Sequence, residues 1–248
     1  MAELIEVAPA KMTAGEVPVM DVADVVALEQ RIAAEGTSLL ALMTRAGRTV
    51  AEVVRSLVPT AARVVVLAGS GNNGGDGWVA AEQLAQAEEY DVALITREAA
   101  VDIKAEPART AALQAMEACE APAGATAGES RMAAGASLSL YVSPDQETVE
   151  HLLAEADVIV DAILGTGFAH SEVREPYAGW IAAANVAHAA GVRIIAADCP
   201  SGLNAQTGAT AHECIHADKT VTMLAVKPGL LQEEATPFVG RLLLASLV

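Results

Sequence analysis

The sequence predicts an α/β protein built on a parallel, doubly wound sheet, with two helices near the N-terminus. Short apolar runs recur along the chain, helical patterns separate most of them, and a glycine-rich loop follows the first run. Continuous apolar runs are typical of strands that are buried on both faces of a parallel sheet. Their alternation with helices predicts the doubly wound arrangement.

The two N-terminal helices are predicted from apolar periodicity. From residue 37 onward, apolar residues recur at intervals of three and four, and Thr37 or Ser38 is placed to cap the helix. A shorter pattern that opens at Asp21 predicts a helix before it. Both helices precede the first predicted strand.

The remaining elements follow in alternation. The predicted strands are 63–68, 91–96, 157–164, 193–198 and 219–226, with a further strand at 241–248. The predicted helices between them are 78–89, 104–120, 144–156 and 175–190. The third of these begins with Ser143 as N-cap, Pro144 in the first helical position and Gln146 as a capping-box residue. Residues 121–136 have no clear period and are interpreted as a loop.

The composition excludes several classes of partner. The 248 residues carry a formal net charge of −17 with only 15 Lys and Arg, so neither nucleic acid nor an anionic membrane surface is an expected partner. A single dinucleotide stays possible, because backbone N–H groups at a helix N-terminus can hold a pyrophosphate. The chain has no apolar run of membrane-spanning length and no signal-peptide pattern, which favours a cytoplasmic protein.

The glycine-rich loop at 69–77 is the first candidate site. Its nine residues include five glycines and contain a G-x-G-x-x-G match at Gly69, Gly71 and Gly74. Glycines allow backbone to approach a ligand closely, and this match after a strand and before a helix is typical of dinucleotide binding. The loop also holds Asn72, Asn73 and Asp76. The structural alternative is a tight turn capped by Asx side chains.

Two aspartates are the second candidate. Asp161 lies in an apolar strand before a G-T-G sequence, and Asp198 ends another strand before P-S-G. The carboxyl ends of parallel strands share one edge of the sheet, so both should meet the glycine-rich loop there. Asn73, Asp161 and Ser201 offer oxygen ligands, which suit a hard cation. The alternative role for each aspartate is a cap or a loop-bracing hydrogen bond.

A rival motif, H-E-x-x-H, occurs at 212–216. Zinc binding by this motif requires a helix that places both histidines on one face. The segment is short, follows Gly208 and continues into a predicted strand. An extended hairpin arm is therefore the prediction, and zinc protease chemistry is not expected.

Several motifs together resemble one known family. They are GSGNNGGDG (69–77), VDAILGTGF (160–168), VREPY (173–177), DCPSGLNAQTG (198–208), ADKTVTMLAVKPGLL (217–231) and LMTRAG (42–47). The set resembles the YjeF N-terminal domain family, the NAD(P)H-hydrate epimerases, over nearly the whole chain. The resemblance implies a three-layer α/β/α, Rossmann-like sandwich in a single epimerase domain over 1–248. The resemblance also implies a homodimer. We expect no C-terminal kinase-like dehydratase domain in this chain. A separate dehydratase is therefore the expected functional partner.

The resemblance also implies roles for individual residues. The substrate, hydrated NADH or NADPH (NADHX or NADPHX), is expected to contact Asn72, Asn73, Gly74, Gly75, Asp76, Gly165, Thr166, Gly167, Phe168, Ala169, His170, Ser171 and Asp198. A potassium ion is expected on Asn73, Asp161 and Ser201. Asp198 is the expected catalytic residue.

The chemistry of epimerisation explains why carboxylates are needed. The hydrate carries a hydroxyl beside the ring nitrogen, so acid-assisted loss of water leaves an iminium-like cation that can be rehydrated from its other face. A carboxylic acid can protonate the hydroxyl, and a carboxylate can stabilise the cation. Asp198 is the preferred proton donor, and Asp161 is the alternative.

Two other functions stay open at this point. An NAD(P)-dependent oxidoreductase is supported by the G-x-G-x-x-G match and by Glu98 just beyond the second predicted strand. A non-catalytic binding or scaffold module is the second, because a fold does not guarantee an activity.

Overall fold

The computed structural model describes residues 3–7, 17–86, 90–118 and 137–248. Within them, one sheet of eight strands has the order β1-β8-β7-β6-β5-β2-β3-β4. The strands are β1 (Leu4–Glu6), β2 (Arg63–Ala68), β3 (Asp91–Thr96), β4 (Ser137–Val142), β5 (Val158–Ala162), β6 (Arg193–Ala197), β7 (Lys219–Met223) and β8 (Arg241–Ala245). Strands β2 to β8 pair in parallel, and β1 pairs with β8 antiparallel.

The order of the strands creates a crevice beside β2. After β2 the chain adds β3 and β4 on one side, and it then returns to add β5, β6, β7 and β8 on the other. The direction of winding therefore reverses between β2 and β5, where Leu67 is in register with Asp161. Ligands of doubly wound sheets bind beyond the carboxyl ends of the strands at such a point.

Helices cover both faces of the sheet. They are α1 (Val22–Ala34), α2 (Leu39–Arg55), α3 (Asn72–Gln86), α4 (Ala108–Ala118), α5 (Gln146–Ala154), α6 (Tyr177–Ala189) and the short α7 (Thr236–Val239). Alternate residues of the strands point to opposite faces. Val64 and Val66 pack in one core with α2, α3 and α4, whereas Val65 and Leu67 pack in another with α5 and α6. The three-layer α/β/α prediction is confirmed.

The N-terminal region agrees with the predicted helices and adds one strand. Helix α1 follows Asp21, and Ser38 caps α2, since its Oγ accepts a hydrogen bond of 3.1 Å from the N–H of Ala41. The prediction that both helices precede the first strand was wrong. The three residues of β1 come before them and join the sheet edge at β8, and so short a strand leaves no periodic pattern.

Three further local predictions were wrong. Strand β4 was not predicted; it forms the edge of the sheet opposite β1. Helix α3 begins at Asn72 rather than at 78, because the glycine-rich segment itself coils into the first turns of the helix. Helix α5 is capped by Asp145, which accepts from the N–H of Thr148 at 2.8 Å, whereas Ser143 has a positive φ of 50°. The predicted loop at 121–136 lies outside the described residues.

Candidate active site

A cavity of about 700 Å³ lies at the carboxyl ends of the strands beside the crevice. Its walls come from α1, α2, the start of α3 and the loops that follow β3, β5 and β6. The polar and charged residues on these walls are Glu29, Gln30, Ser70, Asn72, Asn73, Asp76, Arg97, Glu98, Thr166, His170, Tyr177 and Asp198. The glycine-rich loop and the two strand ends that carry aspartates therefore border one space, as the strand order requires.

The glycine-rich loop needs glycine because its backbone lies very close to the rest of the fold. A Cβ on Gly74 would lie 1.8 Å from the carbonyl oxygen of Gly69, and a Cβ on Gly69 would lie 1.9 Å from that of Ile163. The N–H of Gly69 donates to the carbonyl of Ala162 at 2.9 Å. Strand β2 is thereby tied to β5, and the N-terminus of α3 is directed at the cavity.

Asp161, Ser201 and Asn73 form one buried cluster below this loop. Asp161 is 0% exposed, and its Oδ1 accepts from the Ser201 hydroxyl at 2.5 Å while its Oδ2 accepts from the Ser201 N–H at 2.7 Å. Burial raises the pKa of Asp161 to about 6, against the opposing effect of the hydrogen bonds from Ser201. The carboxylate braces the loop that follows β6.

Asn73 carries an unused oxygen in this cluster. Its Nδ2 donates to the carbonyl of Leu164 at 3.0 Å, and the Ser201 Oγ accepts from the N–H of Leu164 at 2.8 Å. The Oδ1 of Asn73 is buried and has no hydrogen-bond partner among the described residues. Buried polar atoms rarely stay unpaired, so this oxygen can accept a hydrogen bond from water or contact a ligand.

Asp198 lies at the end of β6 in a conformation that non-glycine residues rarely adopt, with a φ of 62°. Its Oδ1 accepts from Lys227 Nζ at 2.5 Å, and from Thr222 Oγ1 and the N–H of Met223 at 3.3 Å each. Lys227 is only 1% exposed and also donates to Thr222 Oγ1 and to the carbonyl of Met223. This ion pair was not predicted from the sequence.

Asp76 and Glu29 complete the acidic part of the cavity wall. Neither side chain forms a hydrogen bond or an ion pair within the described residues, and both are partly buried. Burial raises the pKa of Asp76 well above its usual value, and the charges of Asp198 and Glu29 raise it further. The pKa of Glu29 is raised as well, by burial and then by Asp198. Glu29 was missed because helix periodicity does not reveal which face of α1 meets the cavity.

The loop after β5 contributes only part of its predicted residues. Gly165, Thr166, Gly167, Phe168 and His170 line the cavity, and the rings of Phe168 and His170 meet edge to face with centroids 5.9 Å apart. Ala169 and Ser171 are exposed and do not line it. Gly74 and Gly75 also lie off the wall, buried within α3.

The H-E-x-x-H segment is not helical, and it follows an antiparallel bridge between Leu203 and Thr210. The predicted hairpin arm is thus present just before the motif, whereas the motif itself is irregular. His212 Nδ1 lies 2.6 Å from a carboxylate oxygen of Glu213, whereas the ring of His216 packs against Phe238 with centroids 4.5 Å apart. Because the segment is not helical, the two histidines do not share a helix face as the zinc motif requires.

A family model described as "YjeF-related protein N-terminus" matches residues 39–229. The chain belongs to this family. Among members of similar length, it is 33% identical over 200 residues to an NAD(P)H-hydrate epimerase from Pirellula staleyi, covering 81% of this chain and 78% of that protein. It is 32% identical over 210 residues to one from Limosilactobacillus fermentum, covering 85% and 86%.

Other YjeF-related proteins are much longer than this chain. The bifunctional NAD(P)H-hydrate repair enzyme Nnr of Escherichia coli is 39% identical over 209 residues, which cover 84% of this chain and 35% of that enzyme. The chain thus spans about a third of such relatives. The crystal structure of yeast ynu0 superposes with a TM-score of 0.59 at 24% identity, covering 78% of this chain and 74% of ynu0, which supports the shared fold.

The helices of this YjeF-related chain are all too short or too polar to cross a membrane, as far as the described residues extend. The longest of them, α2, has 17 residues and carries charged side chains along its exposed face.

Proposed function

We propose that this chain interconverts the R and S forms of hydrated NADH and NADPH, in the repair of damaged nicotinamide dinucleotides. The observation that carries the proposal is the Asp198 carboxylate, held by buried Lys227 on the wall of the cavity that the N-terminus of α3 faces. Two relatives of similar length are named NAD(P)H-hydrate epimerase. The names of these relatives favour an epimerase over an oxidoreductase or a binding module.

The cavity suits a dinucleotide in a protein that is otherwise strongly acidic. The free N–H groups at the start of α3 point into the space where a pyrophosphate would bind, and a helix N-terminus favours anions. Arg97, just after β3, is the one Lys or Arg among the described residues that line the cavity. It is exposed, so it is available to a phosphate group.

The carboxylates suit the reaction at the nicotinamide ring. Loss of the hydroxyl as water leaves a positive charge shared between the ring nitrogen and the adjacent carbon, and an anion held in a partly buried site stabilises that charge strongly. Three donors fix the Oδ1 of Asp198, so the carboxylate need not reorganise when the charge develops. Addition of water to either face of the planar ring then gives either epimer.

A potassium ion fits the cluster below the loop. Asn73 Oδ1, the Asp161 carboxylate and Ser201 Oγ are all oxygen ligands, and the buried Asn73 oxygen has no partner among the described residues. Hard cations prefer such ligands. The ion would neutralise the buried Asp161 carboxylate and hold the loops after β5 and β6 against α3.

The wider setting follows from the family. The resemblance leads us to expect a cytoplasmic homodimer, which sedimentation analysis of the purified chain would test. The longer relatives are named bifunctional repair enzymes. We therefore expect this chain to work with a dehydratase that removes one epimer.

The decisive experiment is epimerisation of purified R-NADPHX in potassium buffer, coupled to a dehydratase that accepts only the S form. The wild type is compared with Asp198→Asn and with Asp24→Asn, which changes an exposed carboxylate on α1. We expect the first variant to lose at least a hundredfold in rate while the second keeps its activity. Circular dichroism confirms that each variant is folded.

A folded wild type with a rate no higher than the spontaneous one would support the binding-module alternative. A parallel assay of nicotinamide reduction with candidate alcohol substrates tests the oxidoreductase alternative, and turnover there would displace the epimerase proposal.

A further inference from the structure

Two carboxylates of the cavity differ sharply in how the protein holds them. Asp198 Oδ1 accepts hydrogen bonds from Lys227 Nζ, Thr222 Oγ1 and the N–H of Met223. Asp76 accepts none from the described residues. Donors and a cation around a carboxylate favour its charged form, whereas burial without donors favours the neutral acid.

The surroundings of Asp76 add to this difference. The charges of Asp198, after β6, and of Glu29, on α1, raise the pKa of Asp76. The charge of Lys227, after β7, lowers it. The cations on neighbouring elements are engaged elsewhere or exposed to water. Arg45 of α2 donates to the carbonyl of Leu247, and the charge of Arg48 acts on Glu82. Arg97, on the cavity wall, and Arg109 of α4 are exposed. Asp198 and Glu29 line the same cavity as Asp76, so two further carboxylates border the space that the Asp76 side chain meets.

We propose that Asp76 is the proton donor of the epimerisation, that Asp198 is the carboxylate that stabilises the cation, and that Glu29, on the wall of the same cavity, is a positioning residue for Asp76. This inference rests on the proposed function. Asp76 thus takes the place of Asp198 and Asp161, the two candidates for the proton donor that the sequence offered. Asp161 is fully buried, is bound by Ser201 and does not line the cavity.

The step balances without any other reactant. Asp76 transfers its proton to the hydroxyl of the hydrate, the carbon–oxygen bond breaks, and its electron pair leaves with the water that forms. The lone pair of the ring nitrogen makes the carbon–nitrogen double bond of the iminium. Once the planar ring has turned its opposite face to Asp76, water adds to the carbon and returns one proton to the Asp76 carboxylate.

When two carboxyl groups of one site have different surroundings, that difference is a general guide to which one acts as the acid. Here the ion pair with buried Lys227 holds the Asp198 carboxylate in place, which suits it to the stabilisation of a cation. Asp76 lies on the first turns of α3, beside the loop that would hold the pyrophosphate, so one helix would position both the substrate and its proton donor.

The test compares Asp76→Asn, Glu29→Gln and the control Asp24→Asn, which removes an exposed charge from the same helix as Glu29. Epimerisation of R-NADPHX is followed between pH 5 and 9, and the spontaneous rate at each pH is subtracted. Asp76→Asn should lower kcat by about 10²–10⁴-fold, the usual contribution of a general acid, with a much smaller change in KM.

Glu29→Gln gives a readout that a purely structural role would not move. Wild-type kcat/KM should fall at high pH as Asp76 loses its proton. Loss of the Glu29 charge lowers the pKa of Asp76, so this fall should occur at lower pH in Glu29→Gln and at the wild-type pH in Asp24→Asn.

The outcomes separate this inference from the proposed function. An inactive wild type overturns the proposed function itself. An active wild type with an Asp76→Asn variant that is folded and retains more than a tenth of its kcat overturns only the assignment of Asp76. A Glu29→Gln profile that coincides with that of the wild type overturns the role of Glu29.

Discussion

Lys227 Nζ lies 2.5 Å from Asp198 Oδ1, and this ion pair joins the end of β6 to the segment that follows β7. The lysine is 1% exposed and the aspartate side chain 14%, so water screens the pair poorly. A buried pair contributes little when both partners are replaced, but the loss of one partner leaves an uncompensated charge. The pair therefore contributes both to the stability of the fold and to the position of the Asp198 carboxylate in the site.

Lys227→Met should destabilise the fold and impair the reaction. Removal of the ammonium leaves Asp198 buried without its cation, which we expect to lower the free energy of unfolding by about 3–5 kcal/mol. Urea denaturation measures the change, and Lys104→Met, at an exposed position, is the control. The double variant Lys227→Met with Asp198→Asn should recover most of the stability but not the activity. Equal stabilities of the single and double variants would contradict the coupling.

Gly74→Ala should damage the fold although alanine favours helices. The new Cβ would lie 1.8 Å from the carbonyl oxygen of Gly69, so the loop must shift, which costs about 1–3 kcal/mol or more. Gly71→Ala is the matched control, because a Cβ there meets nothing within 4 Å. Urea denaturation of both variants checks the prediction, which fails if the two unfold at the same midpoint.

Potassium should stabilise the wild type against heat. A ligand at a hundred times its Kd adds about 2.7 kcal/mol, or about 5–10 °C in Tm for a chain of this size. Asn73→Ala removes the unpaired buried oxygen and should abolish the difference between potassium and choline buffers of equal ionic strength. Asn72→Ala changes an exposed neighbour and should preserve it. If Asn73→Ala keeps the full response, the ion does not bind at this cluster.

Arg97→Ala should alter the discrimination between the two substrates. Arg97 follows β3, the position from which an arginine meets the 2′-phosphate of NADP in dinucleotide-binding folds. We expect KM for NADPHX to rise about tenfold, which corresponds to ~1.4 kcal/mol, with little change for NADHX. Arg109→Ala, on the exposed face of α4, is the control. Equal increases for both substrates would instead place Arg97 at the shared pyrophosphate.

Much of the site could be predicted from the sequence because its signals are local. Asp161 interrupts an apolar strand, Asp198 ends another, and the glycine-rich loop stands between a strand and a helix. Strand order brings these three features to one edge of the sheet by a general rule. The family motifs then added roles for individual residues.

Other parts could not be predicted, since they depend on contacts between distant segments. Glu29 lies on an ordinary amphipathic helix, and only the packing of α1 over the cavity brings it near Asp76. Edge strand β4 has a partner on one side alone, so it lacks the continuous apolar pattern of the central strands.

The sequence by itself determined the alternation of strands and helices, the glycine positions and the two strand-end aspartates, because burial on both faces of a sheet imposes a readable apolar pattern. Only the tertiary structure decided that Asp198 is paired with a lysine, and that Asp76 has no hydrogen-bond donor within the part of the chain that the structure describes. Lys227 is 29 residues from Asp198 in the chain. Strands β6 and β7 are neighbours in the sheet, which brings the segment after β7 close to Asp198, and local periodicity does not encode this pairing.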